Sequence, residues 1–219
     1  MSQQLDLQEQ EQLDALKAFW KQYGNALTWI LIAVLGAYAA WNGWNYYQRR
    51  QAEQAAAMYD ELDRASAAAE ADKANRVFGD LRERFPKASF TAQGGLLAAK
   101  VLAEKGQLEP AQAAFAWVAD NATDEDVRAL ARLRWSGLLS DEKKYDEALK
   151  VLEGVKGTSM EALAADRRGD VQMLQGKKTD AVGSYRVAWQ ALPESLDYRR
   201  LVEAKLTALG AAPDAGAVK

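Results

Sequence analysis

The sequence predicts an all-α protein in which a single N-terminal transmembrane helix precedes a helical solenoid, and three observations carry that prediction. No Asp, Glu, Lys or Arg lies between Lys21 and Arg49, a run of 27 residues dense in Ile, Leu, Val and Trp. From about Ala52 onward the chain is Ala-rich, with Leu and charged residues at helical spacing and only four prolines in the whole sequence. Within that body one triplet recurs four times: a small residue, a large apolar one four later, and another apolar one three beyond that.

The first element is the membrane span. A hydrocarbon layer of about 30 Å needs roughly 20 residues at a rise of about 1.5 Å, and Ala26 to Trp44 supplies that length. Trp20, Tyr23 and Trp29 flank one end, and Trp41, Trp44, Tyr46 and Tyr47 the other, where amphipathic rings suit the two headgroup layers. A soluble core helix would carry a polar stripe, whereas only Thr28, Asn42 and Asn45 interrupt this surface. A cleaved signal peptide fits poorly. The segment before the run is acidic and Gln-rich, and bulky Trp residues follow the candidate cleavage site Ala37-Tyr38-Ala39. Lys17 and Lys21 on one flank balance Arg49 and Arg50 on the other, so basic residues do not decide orientation.

Composition bounds what the body can do. The formal net charge is −3, and without a long basic block the chain has no footprint for nucleic acid. The sequence contains no His and no Cys, which removes imidazole and thiolate metal sites, Ser-His-Asp and Cys-His nucleophiles, and disulfides. No cofactor is expected, and the function read here is not enzymatic. The Asp124 and Asp126 pair follows Thr123, and Thr123 with Asp126 three residues on has the spacing of a helix N-cap and its capping acid. Gly94-Gly95 lacks the preceding strand and following Lys-Ser/Thr of a phosphate loop.

The four triplets are Ala74, Phe78, Leu81; Ala111, Phe115, Val118; Ala148, Leu152, Val155; and Ala181, Tyr185, Ala188. Pro86 closes the first and Pro193 the fourth, while the second opens just after Pro110. The spacings of 37, 37 and 33 residues bracket the 34-residue tetratricopeptide repeat, whose second helix carries Ala, then an aromatic, then Ala, then Pro. Ala lets the paired helix approach closely, the aromatic fills the space between repeats, and Pro ends the helix. Gly106 and Gly176 fall five residues before their Ala, where the turn between paired helices belongs; Lys143 takes that place in the third unit, and the first unit has no turn Gly. Ala99, Ser136 and Gly169 lie twelve before it, at the first helix's small position, where the first unit has Leu62. No helix breaker separates Trp44 from Arg64, so the first helix of the first unit should run almost continuously out of the span. A capping helix is expected over Glu194 to Leu209, and a frayed tail from Gly210. The expected layout is a tail over 1–24, the span over 25–48, a tetratricopeptide-repeat-like domain over 49–210, and a flexible tail over 211–219.

The N-terminal residues Glu9-Gln10-Glu11-Gln12-Leu13, Leu16-Lys17, Phe19-Trp20-Lys21 and Gly24, followed by one span and degenerate repeats, resemble the YfgM family, the ancillary subunit of the bacterial SecYEG translocon. The resemblance covers nearly the whole chain. It implies an inner-membrane protein with a cytoplasmic N-terminus and a periplasmic helical domain. It also implies association with the SecYEG translocon and the membrane-anchored chaperone PpiD, and help for newly exported proteins on their way to periplasmic chaperones.

Read from the residues, the mechanism is recognition: in a stack of helix pairs the first helices line a concave face. Counting back from each motif Ala places Tyr59, Leu96, Lys100, Leu130, Leu133, Leu163, Asp166 and Asp170 there, with Leu and Tyr to hold a partner segment and Lys and Asp to steer it. Leu13, Leu16, Trp20 and Tyr23 recur at steps of three and four, which suits a helix at the lipid interface or against a partner's membrane helix. The alternative is a self-associating anchored scaffold for envelope assembly or division.

Overall fold

The computed structural model describes residues 7–213, and all regular structure among them is helical. Parts of the expected tails, 1–6 and 214–219, lie outside the described residues. The helices are α1 (Leu7–Ala67), α2 (Ala71–Arg84), α3 (Ser89–Glu104), α4 (Leu108–Asn121), α5 (Glu125–Asp141), α6 (Tyr145–Glu153), α7 (Glu161–Leu174), α8 (Lys178–Ala191) and α9 (Asp197–Ala208). By its contacts the chain divides into two units, Met1–Gln51 and Ala52–Lys219.

In the first unit, α1 is long and apolar enough to cross a membrane, and its apolar window is almost entirely unburied by protein. Trp29, Ile30, Leu31, Ile32, Val34 and Leu35 are all exposed. Two of the three polar interruptions are handled within the helix. Thr28 Oγ1 donates to the Gly24 carbonyl at 2.7 Å and Asn42 Nδ2 to the Tyr38 carbonyl at 3.2 Å, each one turn back, so both donors are satisfied by the helix itself.

The second unit begins with residues 52–67 of α1, whose Ala55, Leu62 and Ala65 share a core with Ala74, Phe78 and Leu81 of α2; α3 pairs with α4, α5 with α6 and α7 with α8, and α9 packs on α8. From α2 onward each helix packs on the next in sequence, and α5 also touches α3 and α7, so contacts pass from neighbour to neighbour as in a repeat stack. All twelve motif residues are buried, as are the small-position residues Leu62, Ala99, Ser136 and Gly169. Val155 lies just beyond the nine-residue α6, yet it still fills the core from the turn that follows.

The turn within each pair is built identically four times. Ala69, Gly106, Lys143 and Gly176, each five residues before its motif Ala, adopt φ of 56°, 73°, 61° and 77°. The next residue sends its N–H back to the carbonyl three from the helix end, from Glu70 to Ala65, Gln107 to Leu102, Lys144 to Leu139 and Lys177 to Gln172, at 2.8 to 2.9 Å. This closure satisfies carbonyls that a helix end leaves open. The same four residues then accept the N–H of the motif Ala, so each closes one helix and opens the next.

Close approach is carried by glycines as well as by the motif Ala. Gly94-Gly95 lies buried in the middle of α3. A Cβ on Gly94 would sit 3.2 Å from Leu62 Cδ1, which shows how the first unit tolerates leucine at its small position. A Cβ on Gly95 would overlap Val118 Cγ2 and crowd Phe78, and one on Gly169 would overlap the Tyr185 ring.

Two details differ from the sequence reading. The N-cap of α5 is Asp124, not Thr123: Asp124 Oδ1 accepts from the Asp126 and Val127 amides at 2.8 and 3.4 Å. A carboxylate at the positive end of the helix dipole is the better acceptor, and it satisfies two of the open amides. Pro110 does not precede its helix but lies in the first turn of α4, where its missing N–H forfeits no bond.

Lysine and alanine at positive φ are strained where glycine is not. Lys143→Gly should therefore raise stability by about 1 kcal/mol, read as a higher Tm. Gly95→Ala should lower it by about 1–3 kcal/mol through overpacking.

Candidate partner-binding groove

The first helices of the second, third and fourth pairs, α3, α5 and α7, form one wall of a groove of about 750 Å³. Five of the eight residues expected on the concave face line it: Lys100, Leu130, Leu133, Leu163 and Asp170. They meet because the intervals back from each motif Ala recur. Leu130 and Leu163 each lie eighteen residues before theirs, and Arg134 and Arg167 fourteen before. The other three are placed elsewhere. Tyr59 is half-buried and packs on Phe90, ring centroids 5.7 Å apart. Leu96 is buried in the core of the first two pairs, although Leu133 at the same register lines the groove. Asp166 is 1% exposed and serves an internal network.

That network closes the C-terminal end. Asp166 accepts Tyr198 Oη at 2.6 Å and Lys205 Nζ at 2.8 and 2.9 Å on its two oxygens. Asp170 Oδ1 accepts Lys205 Nζ at 2.6 Å and Tyr185 Oη at 2.8 Å. One ammonium thus serves two carboxylates, and two hydroxyls supply the remaining donors, which a buried carboxylate requires. Burial raises both tyrosine hydroxyls above the ordinary phenol range, reinforced by the hydrogen bonds to Asp170 for Tyr185 and Asp166 for Tyr198. Asp170 and Tyr198 also face the groove, so the network forms part of its wall.

The remaining groove surface mixes apolar and charged groups. Lys100 Nζ is 3.8 Å from Glu104 Oε1 and both side chains are largely exposed. Arg134, Asp141 and Arg167 are exposed and form no ion pair among the described residues. Leu174 on the rim is 57% exposed, an apolar side chain left uncovered. Such an arrangement can hold a segment by burial of apolar groups and fix its register by charge.

A family model described as a tetratricopeptide repeat-like domain matches residues 17–211, taking in the span together with the repeats. The ancillary SecYEG translocon subunit of Neisseria gonorrhoeae is 30% identical over 204 residues, covering 93% of this chain and 98% of that protein. The chain belongs to the family of ancillary SecYEG translocon subunits. The Escherichia coli subunit of that name is 30% identical over 183 residues, 84% of this chain and 86% of its own, and the Haemophilus influenzae one 29% identical over 186, 84% and 90%.

For this member of the ancillary translocon subunits, the sequence reading missed Arg134, Arg167, Tyr198 and Lys205. The two arginines were legible in principle, since they occupy one repeat position in adjacent units. Tyr198 and Lys205 were not, because they belong to the capping helix, outside the repeat register.

Lys205→Met removes the cation facing two carboxylates, one of them fully buried, and should cost about 3 kcal/mol in a denaturation measurement. The raised tyrosines set a pH dependence. The fold keeps their protons where the unfolded chain releases them, so their contribution is complete below about pH 10 and is lost as pH rises further. Thermal melts should show that alkaline loss, and Tyr198→Phe should shrink it.

Proposed function

We propose that this chain is a membrane-anchored adaptor that serves protein export by holding a segment of a partner protein in the groove of its repeat domain. The observation that carries this reading is the groove itself, with leucines from two successive repeats on one wall and charges around them. Recognition, not chemistry, is the task such a surface suits. The family supplies the setting: its members bear the name of ancillary SecYEG translocon subunits, which makes the translocon the first partner to test. The resemblance stated from the N-terminal motif adds the membrane-anchored chaperone PpiD as a second partner. It also supports an inner-membrane location with the N-terminus in the cytoplasm and the repeat domain in the periplasm. The span contributes contact with membrane lipid, for which its exposed apolar side chains are suited.

Two measurements test this. A photo-crosslinking side chain at Leu133 or Leu163 should form adducts with a translocon subunit or the anchored chaperone in cells, and one at exposed Lys150 should not. Adducts only between copies of this chain would overturn the adaptor reading in favour of the self-associating scaffold. A reporter active only outside the cytoplasm, fused after Lys219, should give signal; silence there with activity of a cytoplasmic reporter would reverse the orientation.

A further inference from the structure

The groove's charges are ordered along its helices, and the order specifies what it takes. Among the groove-lining residues, Leu130, Arg134, Gly137 and Asp141 on α5 and Leu163, Arg167, Asp170 and Leu174 on α7 fall on one helical face, each set at steps of four, three and four. One helical face therefore presents leucine first, arginine one turn later, and an acid two turns beyond the arginine on α5, a distance of about 10 Å. Arg134 and Arg167 hold the same repeat position on helices that touch, and both line the groove. Neither has an ion-pair partner among the described residues. The acid nearest to them in the register, Asp170, is already taken by Lys205 and Tyr185. Glu104 on α3 and Asp141 on α5 share the next level, seven residues before their motif Ala.

We infer that the groove is selective for a peptide segment in which an acidic residue neighbours an aliphatic one, the carboxylate held by Arg134 and Arg167 and the aliphatic side chain seated among Leu130, Leu133 and Leu163. Paired arginines match a carboxylate in shape as well as charge, and the apolar floor beside them lowers the local dielectric that would otherwise screen the contact. Asp141, which forms no ion pair among the described residues, sets direction, whereas Glu104 is paired with Lys100. A second acid about three extended residues further along meets like charge there, whereas a basic residue at that point is attracted. The inference rests on the groove being the partner surface proposed above.

The test uses the full chain in detergent micelles and fluorescein-labelled synthetic peptides of twelve residues at low salt. One set places Glu beside Leu and Val, a second replaces each Glu with Lys, and a third replaces it with Gln. The Glu set should bind about tenfold more tightly than the Gln set, with the Lys set weaker still. The charge-reversed variant R134E/R167E, altered only at exposed positions, should invert that order. A second variant, L133Q/L163Q, should abolish binding of every set. Binding lost in L133Q/L163Q but indifferent to R134E/R167E overturns the acidic selectivity and leaves the groove reading standing. Binding that survives L133Q/L163Q, or no binding by any set, overturns both.

Discussion

Each helix pair is set by a single residue held at positive φ, and the rest of the domain is arranged around those turns. The residue after the turn closes the first helix through a bond to its third-last carbonyl and opens the second by accepting the motif alanine's amide. Because one residue carries both bonds, the angle between the paired helices leaves little freedom, and four repetitions of one geometry bring α3, α5 and α7 to a common wall. Glycine fills only half of these turns. Ala69 and Lys143 accept a conformation that L-residues resist, so the demand for the turn outweighs the local preference.

Side chains at the pair interface are adjusted to that fixed backbone. Where the small position holds leucine, the facing helix has a glycine to receive it; where the fourth unit uses tyrosine in place of phenylalanine, Gly169 leaves room for the ring and Asp170 takes its hydroxyl. At these two places a larger residue on one helix is matched by a glycine on the other, as close-packed interiors require.

The span, the four triplets and their period were legible because each depends on one class of residue at a regular step, and regular steps survive substitution at single sites. Lys143 could be recognised as a turn residue only by its place in the register, since its side chain predicts the opposite. Asp166 was misplaced for a different reason. Its interval from the motif Ala puts it on the first helix like Leu133 and Leu96, but whether a carboxylate there meets water or an ammonium depends on Lys205, which is 39 positions away on a helix that repeats nothing. The cap at Asp124 shows the local limit: Thr123 and Asp124 both bear oxygen acceptors, and only the backbone at ψ 126° selects between them.

A chain whose contacts run from each helix to the next has no long-range loop to close, so it can form quickly and, for the same reason, can unravel from an end one helix at a time. Helix α9, the last among the described residues, packs on α8, which makes it a natural place for such fraying to start. An ammonium shared by two carboxylates of α7, reaching past α8, ties that last helix to the one two before it. The tie turns three sequential steps into one event, so a protease meeting this end of the molecule finds no single loose helix to begin on.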